Sequence, residues 1–68
     1  MKFELKGHEY IQLNQLLKFL GLVETGGEAN QCIVDGQVLF NGSVELQKRK
    51  KVRRGDTVEF QSKKIEII

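Results

Sequence analysis

The stretch Leu13-Asn14-Gln15-Leu16-Leu17-Lys18-Phe19-Leu20-Gly21, followed closely by Thr25-Gly26-Gly27-Glu28-Ala29-Asn30-Gln31-Cys32-Ile33-Val34-Asp35-Gly36, decides the fold. In its first part Leu13, Leu16, Leu17 and Leu20 recur at i, i+3, i+4 and i+7, the apolar stripe of a helix about two turns long. Gly21 stands where such a helix takes a left-handed C-terminal residue. A helix this short is held by packing against its neighbours, because isolated helices of that length are unstable in water. In the second part Thr25 and Glu28 have the spacing of a capping box. The Thr25 hydroxyl can accept from a backbone N–H near Glu28 while the Glu28 carboxylate reaches back. Ala29, Cys32 and Ile33 then form the buried face of a second helix, which stops at Gly36. Ala29 is small enough to let two helices approach closely.

On either side of this pair the period changes from helical to two. Upstream, Lys2 to Lys6 alternates with Phe3 and Leu5 on one face and reads as a short strand. Gly7-His8 is a turn, and Tyr10-Ile11 extends beyond it. Downstream, Val38 and Phe40 alternate with polar or outward positions, and Asn41-Gly42 is the strongest two-residue hairpin signal in the chain. Ser43 to Leu46 reads as the return strand. Arg54-Gly55-Asp56 is a further turn, with strands through Val58 and Phe60 and then Ile65 and Ile67. Strand, helix, helix and several short antiparallel strands make an α+β domain. No repeat, low-complexity tract or linker interrupts it, so residues 1–68 are expected to form one domain.

The 68 residues allow a single, marginal core and little room for a deep pocket. Cys32 is the only cysteine, and it has no neighbouring ligand at metal-binding spacing. A reducing, cytoplasmic compartment is therefore expected, with no metal and no cofactor. Met1-Lys2-Phe3-Glu4 opens without the apolar run of a signal peptide, and no segment is long and apolar enough to span a membrane. His8 has no serine or cysteine partner in a recognisable motif, and the carboxylates are scattered. Gly26-Gly27 lacks the further glycine or the Lys-Ser/Thr of a phosphate-binding loop. Phe3, Phe19, Phe40 and Phe60 fall on or near apolar faces and are assigned to the core, which argues against a stacking platform for single-stranded RNA. The chain is not expected to be an enzyme.

The modest net charge of +2 hides a strong asymmetry. Residues 1–47 carry three lysines against six carboxylates, a net charge of −3. Residues 48–68 carry eight cations against three carboxylates, a net charge of +5. Six of those cations, Lys48, Arg49, Lys50, Lys51, Arg53 and Arg54, fall in seven consecutive positions broken only by Val52. Side chains that repel one another so strongly have no use in a core. Near a polyanion each can neutralise a phosphate and release counterions, and arginine adds bidentate geometry and stacking. Placed between strands, the run would form a fixed cluster.

The order Ile11-Gln12-Leu13-Asn14, Leu16-Leu17, Gly21-Leu22, Thr25 to Ala29, Ile33, Gly36-Gln37-Val38, Asn41-Gly42 and Gly55-Asp56 resembles the ribosomal protein S-four-like RNA-binding domain, or αL motif. The Gly-Gly-Glu-Ala version looks most like the small stand-alone members of the YaaA/YbcJ type. The likeness covers roughly residues 10–60. It implies two short helices packed on a small antiparallel sheet of about four to five strands. It also implies structured RNA, ribosomal RNA above all, bound by the helix pair and the adjoining loop. Gln12 stands where the family often has arginine, Thr25-Gly26 replaces a Ser-Arg pair, and Asn30 and Gln31 occupy positions that are frequently basic. The helix face thus offers hydrogen bonds but little charge, and Lys48 to Arg54 must supply most of the electrostatics.

The expected site combines phosphate contacts from Lys48, Arg49, Lys50, Lys51, Arg53 and Arg54 with polar contacts from Gln12, Asn14, Asn30 and Gln31. Gly26 and Gly27 would let the RNA backbone near the second helix, whose N-terminus carries free N–H groups. A monomer is expected. The rival reading is a protein-interaction module whose basic loop docks on an acidic ribosomal or RNA-processing protein. A β-grasp carrier would need a Gly-Gly tail where this chain has Glu66-Ile67-Ile68.

Overall fold

The computed structural model describes all residues, 1–68. Helix α1 spans Leu13–Phe19 and helix α2 spans Gly26–Val34, where the leucine stripe and the capping box place them. Leu13, Leu16 and Leu17 on α1 and Ala29 and Ile33 on α2 are fully buried. Gly21 and Gly36, which follow the helices, take φ of +73° and +78°, the left-handed region that glycine enters without a Cβ penalty.

The remaining elements are strands: β1 (Lys2–Phe3), β2 (Ile11–Gln12), β3 (Val38–Phe40), β4 (Ser43–Val44), β5 (Lys51–Val52), β6 (Thr57–Phe60) and β7 (Lys63–Ile67). Five of them form one sheet in the order β1-β7-β6-β3-β4, and β2 and β5 form a separate antiparallel ribbon. The two helices and the small sheet are the architecture expected. All pairs of the main sheet are antiparallel except the outermost, where β1 runs parallel to β7 with Lys2 opposite Glu66 and Phe3 opposite Ile67. Strands at opposite ends of the chain need no tight hairpin between them, so a parallel pair is open to them.

Alternation along β6 and β7 buries Val58, Phe60, Ile65 and Ile67, which with Val38 of β3 face the helices. The β3–β4 hairpin turns at Asn41-Gly42 with φ of +50° and +88°, the both-positive geometry of a type I′ turn. Its return strand is shorter than the expected Ser43–Leu46. Glu45 turns its carboxylate onto the backbone N–H of Gln47 (3.1 Å), a local bond that competes with sheet pairing. Leu46 lies exposed, as does Val44 within the strand.

Candidate nucleic-acid interface

The basic run lies outside the main sheet, beside β2 and the start of α1. Its central strand β5 pairs with β2, Ile11 opposite Val52 and Gln12 opposite Lys51. Val52 is fully buried and is the apolar anchor of the run. The N–H groups of Leu13 and Asn14, which open α1, donate to the carbonyls of Lys50 (2.9 Å) and Lys48 (3.0 Å). Gln12, the N-cap residue, makes no side-chain cap. The backbone of the basic segment therefore does the capping, which satisfies two donors that every helix start leaves orphaned. It also commits that end of α1 to the fold and fixes the path of the cations.

Two turns bracket β5. Lys48 and Arg49 occupy the corner of one, closed by the Lys50 N–H donating to the Gln47 carbonyl (3.2 Å). Arg54 and Gly55 occupy the corner of the other, closed by the Asp56 N–H donating to the Arg53 carbonyl (3.0 Å), with Gly55 at φ +93°. Asp56 then accepts from the Arg53 N–H (2.7 Å) and from Asn41 Nδ2 (3.1 Å), while Asn41 Oδ1 accepts from the Thr57 N–H (2.8 Å). The turn after β5 is thereby tied to the tip of the β3–β4 hairpin.

The cations do not form one cluster. Strand alternation sends Lys51 and Arg53 to one side and Lys50 with Val52 to the other. Lys51 Nζ lies 5.0 Å and Arg53 Cζ 5.8 Å from the centre of the Tyr10 ring, and Lys50 Nζ lies 5.2 Å from the centre of Phe40. These are cation–π distances. No side chain of the run donates a hydrogen bond within the chain, so its charge is turned outward unneutralised.

The helix-borne residues separate into two groups. Asn14 is 8 % exposed, and its Nδ2 donates to Asn30 Oδ1 (3.0 Å), joining α1 to α2 beneath the surface. Asn14 Oδ1 is buried without a partner. Asn14 thus meets Asn30 instead of the surface, and Asn30 itself is half-buried. Gln31 is exposed and donates to Asp35 Oδ1 (2.9 Å). Gln12 is half-buried within the β2–β5 ribbon.

At the start of α2, Thr25 Oγ1 accepts from the Glu28 N–H (3.0 Å), as the spacing implied. The Glu28 carboxylate reaches one residue farther than a standard capping box, to the N–H of Glu24 (2.8 Å). A Cβ built on Gly26 meets nothing within 4 Å, and one on Gly27 meets only Thr25 Oγ1 at 3.9 Å. Neither glycine is demanded by packing or by a left-handed backbone. Cys32 is half-buried against the core. Burial, followed by the negative charge of Glu28 and Asp35, pushes its thiol above the ordinary value, the direction opposite to that of an activated thiolate.

The assignment of all four phenylalanines to the core needs correction. Phe60 is buried, and Phe3 and Phe40 pack partly against the core, but Phe19 is 74 % exposed. Position 19 lies off the Leu13-Leu16-Leu17-Leu20 stripe, which is the signal that separates it from the buried set. Its ring stands edge-to-face on Phe3 at 5.4 Å between centroids. Tyr10, at 37 % exposure, stands at the surface.

A helix pair on a small sheet, with an adjoining cationic strand held at the start of the first helix, defines the class: a compact α+β module of αL type. The S4 domain family model matches residues 3–68, and the chain belongs to that family. It is 38 % identical over 66 residues to YbcJ of Escherichia coli (strain K12), covering 97 % of this chain and 94 % of that protein, and equally so to YbcJ of Shigella flexneri. The solution structure of E. coli YbcJ, which reveals an αL motif involved in RNA-binding, superposes with a TM-score of 0.74 at 37 % identity, covering 98 % of this chain and 85 % of that one. The 30S ribosomal protein S4e of Thermoplasma acidophilum shares the fold, with a TM-score of 0.68 at 21 % identity, over 84 % of this chain and 30 % of that one.

Proposed function

We propose that this protein binds structured RNA, ribosomal RNA first among the candidates, and catalyses no reaction on it. The observation that carries the reading is the segment Lys48–Arg54, which bears six cations on a backbone tied to β2, to the start of α1 and to the β3–β4 hairpin. A segment already ordered loses less freedom on binding, and each phosphate it neutralises releases counterions. In this reading Lys48, Arg49, Lys50, Lys51, Arg53 and Arg54 contact phosphates. Asn30 and Gln31 make polar contacts from α2, with Asn14 setting Asn30 in place and Gln12 contributing from the ribbon. Gly26 and Gly27 leave the N–H groups of α2 open to the RNA backbone, where the helix end favours an anion. The involvement of the YbcJ αL motif in RNA-binding supports the same conclusion. The lone Cys32 is consistent with a cytoplasmic setting, and the protein acts as a monomer.

The test is equilibrium binding to a structured ribosomal RNA fragment and to duplex DNA of equal length across a salt series. Tight binding that favours the RNA and weakens steeply with salt is expected; equal or absent binding to both would sink the reading. A second reading, in which the basic loop Lys48–Arg54 docks on an acidic ribosome-associated protein, draws on the same cations, none of which donates a side-chain hydrogen bond within the chain. A co-purifying complex that survives nuclease would favour it.

A further inference from the structure

Beside the cationic strand the surface opens into an apolar cleft that the phosphate contacts do not use. It has a volume of about 390 Å³ and is lined by Phe3, Leu5, His8, Tyr10, Ile11 and Phe19, among others. That volume is at the low end of small-ligand sites, which run from about 300 to 1,000 Å³. Two features set it apart from a scattering of apolar surface residues. Phe19 offers an aromatic ring at 74 % exposure, and that ring is braced by the Phe3 edge 5.4 Å away. Tyr10 is shared, since its ring forms part of the cleft wall and also carries Lys51 and Arg53 at 5.0 and 5.8 Å.

We infer that this cleft receives one unpaired nucleobase of the bound RNA, with its backbone phosphates held by Lys51 and Arg53. The inference rests on the RNA-binding reading above and narrows it to RNA with a bulged or looped-out nucleotide beside the paired segment. A base has two apolar π-faces and a polar edge, and the cleft lining offers aromatic rings for the first and the polar side chains of Glu4, Lys6 and His8 for the second. A base cannot leave its phosphate behind, and Lys51 and Arg53 lie against Tyr10, a residue of the cleft wall. An aliphatic protein segment would fill the same volume but would leave those two cations without a counter-charge. Stacking on an exposed ring is tolerant of base identity, so the cleft selects for an unpaired base in general.

The experiment compares two RNA hairpins that differ only by a single bulged nucleotide, titrated against the full chain and against F19A. Phe19 is exposed, so its removal leaves the core intact, and circular dichroism verifies the fold. Tyr10 is the only tyrosine and the chain has no tryptophan, so intrinsic fluorescence reports on the shared cleft wall and the two cations against it, and the paired hairpin serves as the control for phosphate contact alone. The bulged hairpin is expected to bind the wild type more tightly and to change the Tyr10 emission. F19A is expected to bind the bulged hairpin about 5- to 150-fold more weakly, the range found for losing one base–aromatic stack. The paired hairpin should bind both proteins alike, and F19W should restore the preference. Equal binding of the two hairpins by both proteins would overturn the base cleft while leaving RNA binding in place. Failure to bind either would remove the RNA reading itself. A nuclease-resistant complex lost in F19A would assign the cleft to a protein segment and overturn the inference.

Discussion

The five-stranded sheet and the two-stranded β2–β5 ribbon are both built from short segments, of two to five residues in the sheet and two in the ribbon, yet they use their side chains in opposite ways. In β6 and β7 every second residue enters the core: Val58, Phe60, Ile65 and Ile67. In the ribbon Val52 alone is fully buried, and its flanking residues Lys50, Lys51, Arg53 and Arg54 bear like charges that repel. The ribbon tolerates that repulsion because backbone hydrogen bonds to Leu13 and Asn14, with one apolar anchor, are enough to hold it. Stability is concentrated in the sheet and helix core, to which β5 gives Val52 and its backbone, and charge in the flanking side chains, which the core does not use. Such a division lets the charged side chains change without unfolding the domain.

The contrast is broken most severely from the core side. Leu17→Ala, at a fully buried position between α1 and the sheet, should cost about 2–5 kcal/mol and remove much of the stability of so small a domain, read as a fall in the urea midpoint. A loss below about 1 kcal/mol would mean that α1 is not part of the cooperative core. Next in size is a change at the β6–β7 turn. There Gln61 and Ser62 hold φ of +52° and +64°, the region that favours Asn-Gly. Replacing the pair by Gln61→Asn with Ser62→Gly should stabilise the fold by about 1 kcal/mol in thermal melts and leave RNA affinity unchanged. Smallest, and sharpest for the comparison, is Gly27→Ala. Because a Cβ there meets only Thr25 Oγ1 at 3.9 Å, the free protein should gain roughly 0.5–1 kcal/mol. RNA binding should weaken at the same time if the nucleic-acid backbone approaches α2 as proposed. A variant that is more stable and binds equally well would leave Gly27 no role in recognition.

Much of this architecture was legible in the residue order. The leucine stripe, the Thr25–Glu28 spacing and Asn41-Gly42 each encode their element locally, and each element forms where they point. What stayed hidden depended on partners distant in sequence. Nothing in Lys2-Phe3 announces a parallel neighbour sixty-odd residues on, at Glu66-Ile67. Gln61-Ser62 carries no turn signal, and the hairpin between β6 and β7 is imposed by the pairing of Phe60 with Lys63. The site was legible in composition but not in shape. The run of cations was plain, whereas its division across the two sides of β5 follows from a pairing with Ile11-Gln12 that no local pattern encodes. Asn14 looked like a polar contact on the helix face, and only the packing of α2 turned it inward to Asn30. Phe19 could have been separated from the core on periodicity alone.

In the proposed function the pinned basic segment provides the RNA-binding charge independently of the core. The most direct test is the triple variant Arg49→Gln, Lys51→Gln, Arg53→Gln, titrated with a structured ribosomal RNA fragment over a range of salt beside the wild type. The variant should keep a native fold by circular dichroism, bind more than about tenfold more weakly near 0.1 M salt, and show a log–log salt slope shallower by about 2 to 3. A triple variant that binds the RNA with wild-type affinity and wild-type slope would contradict that role.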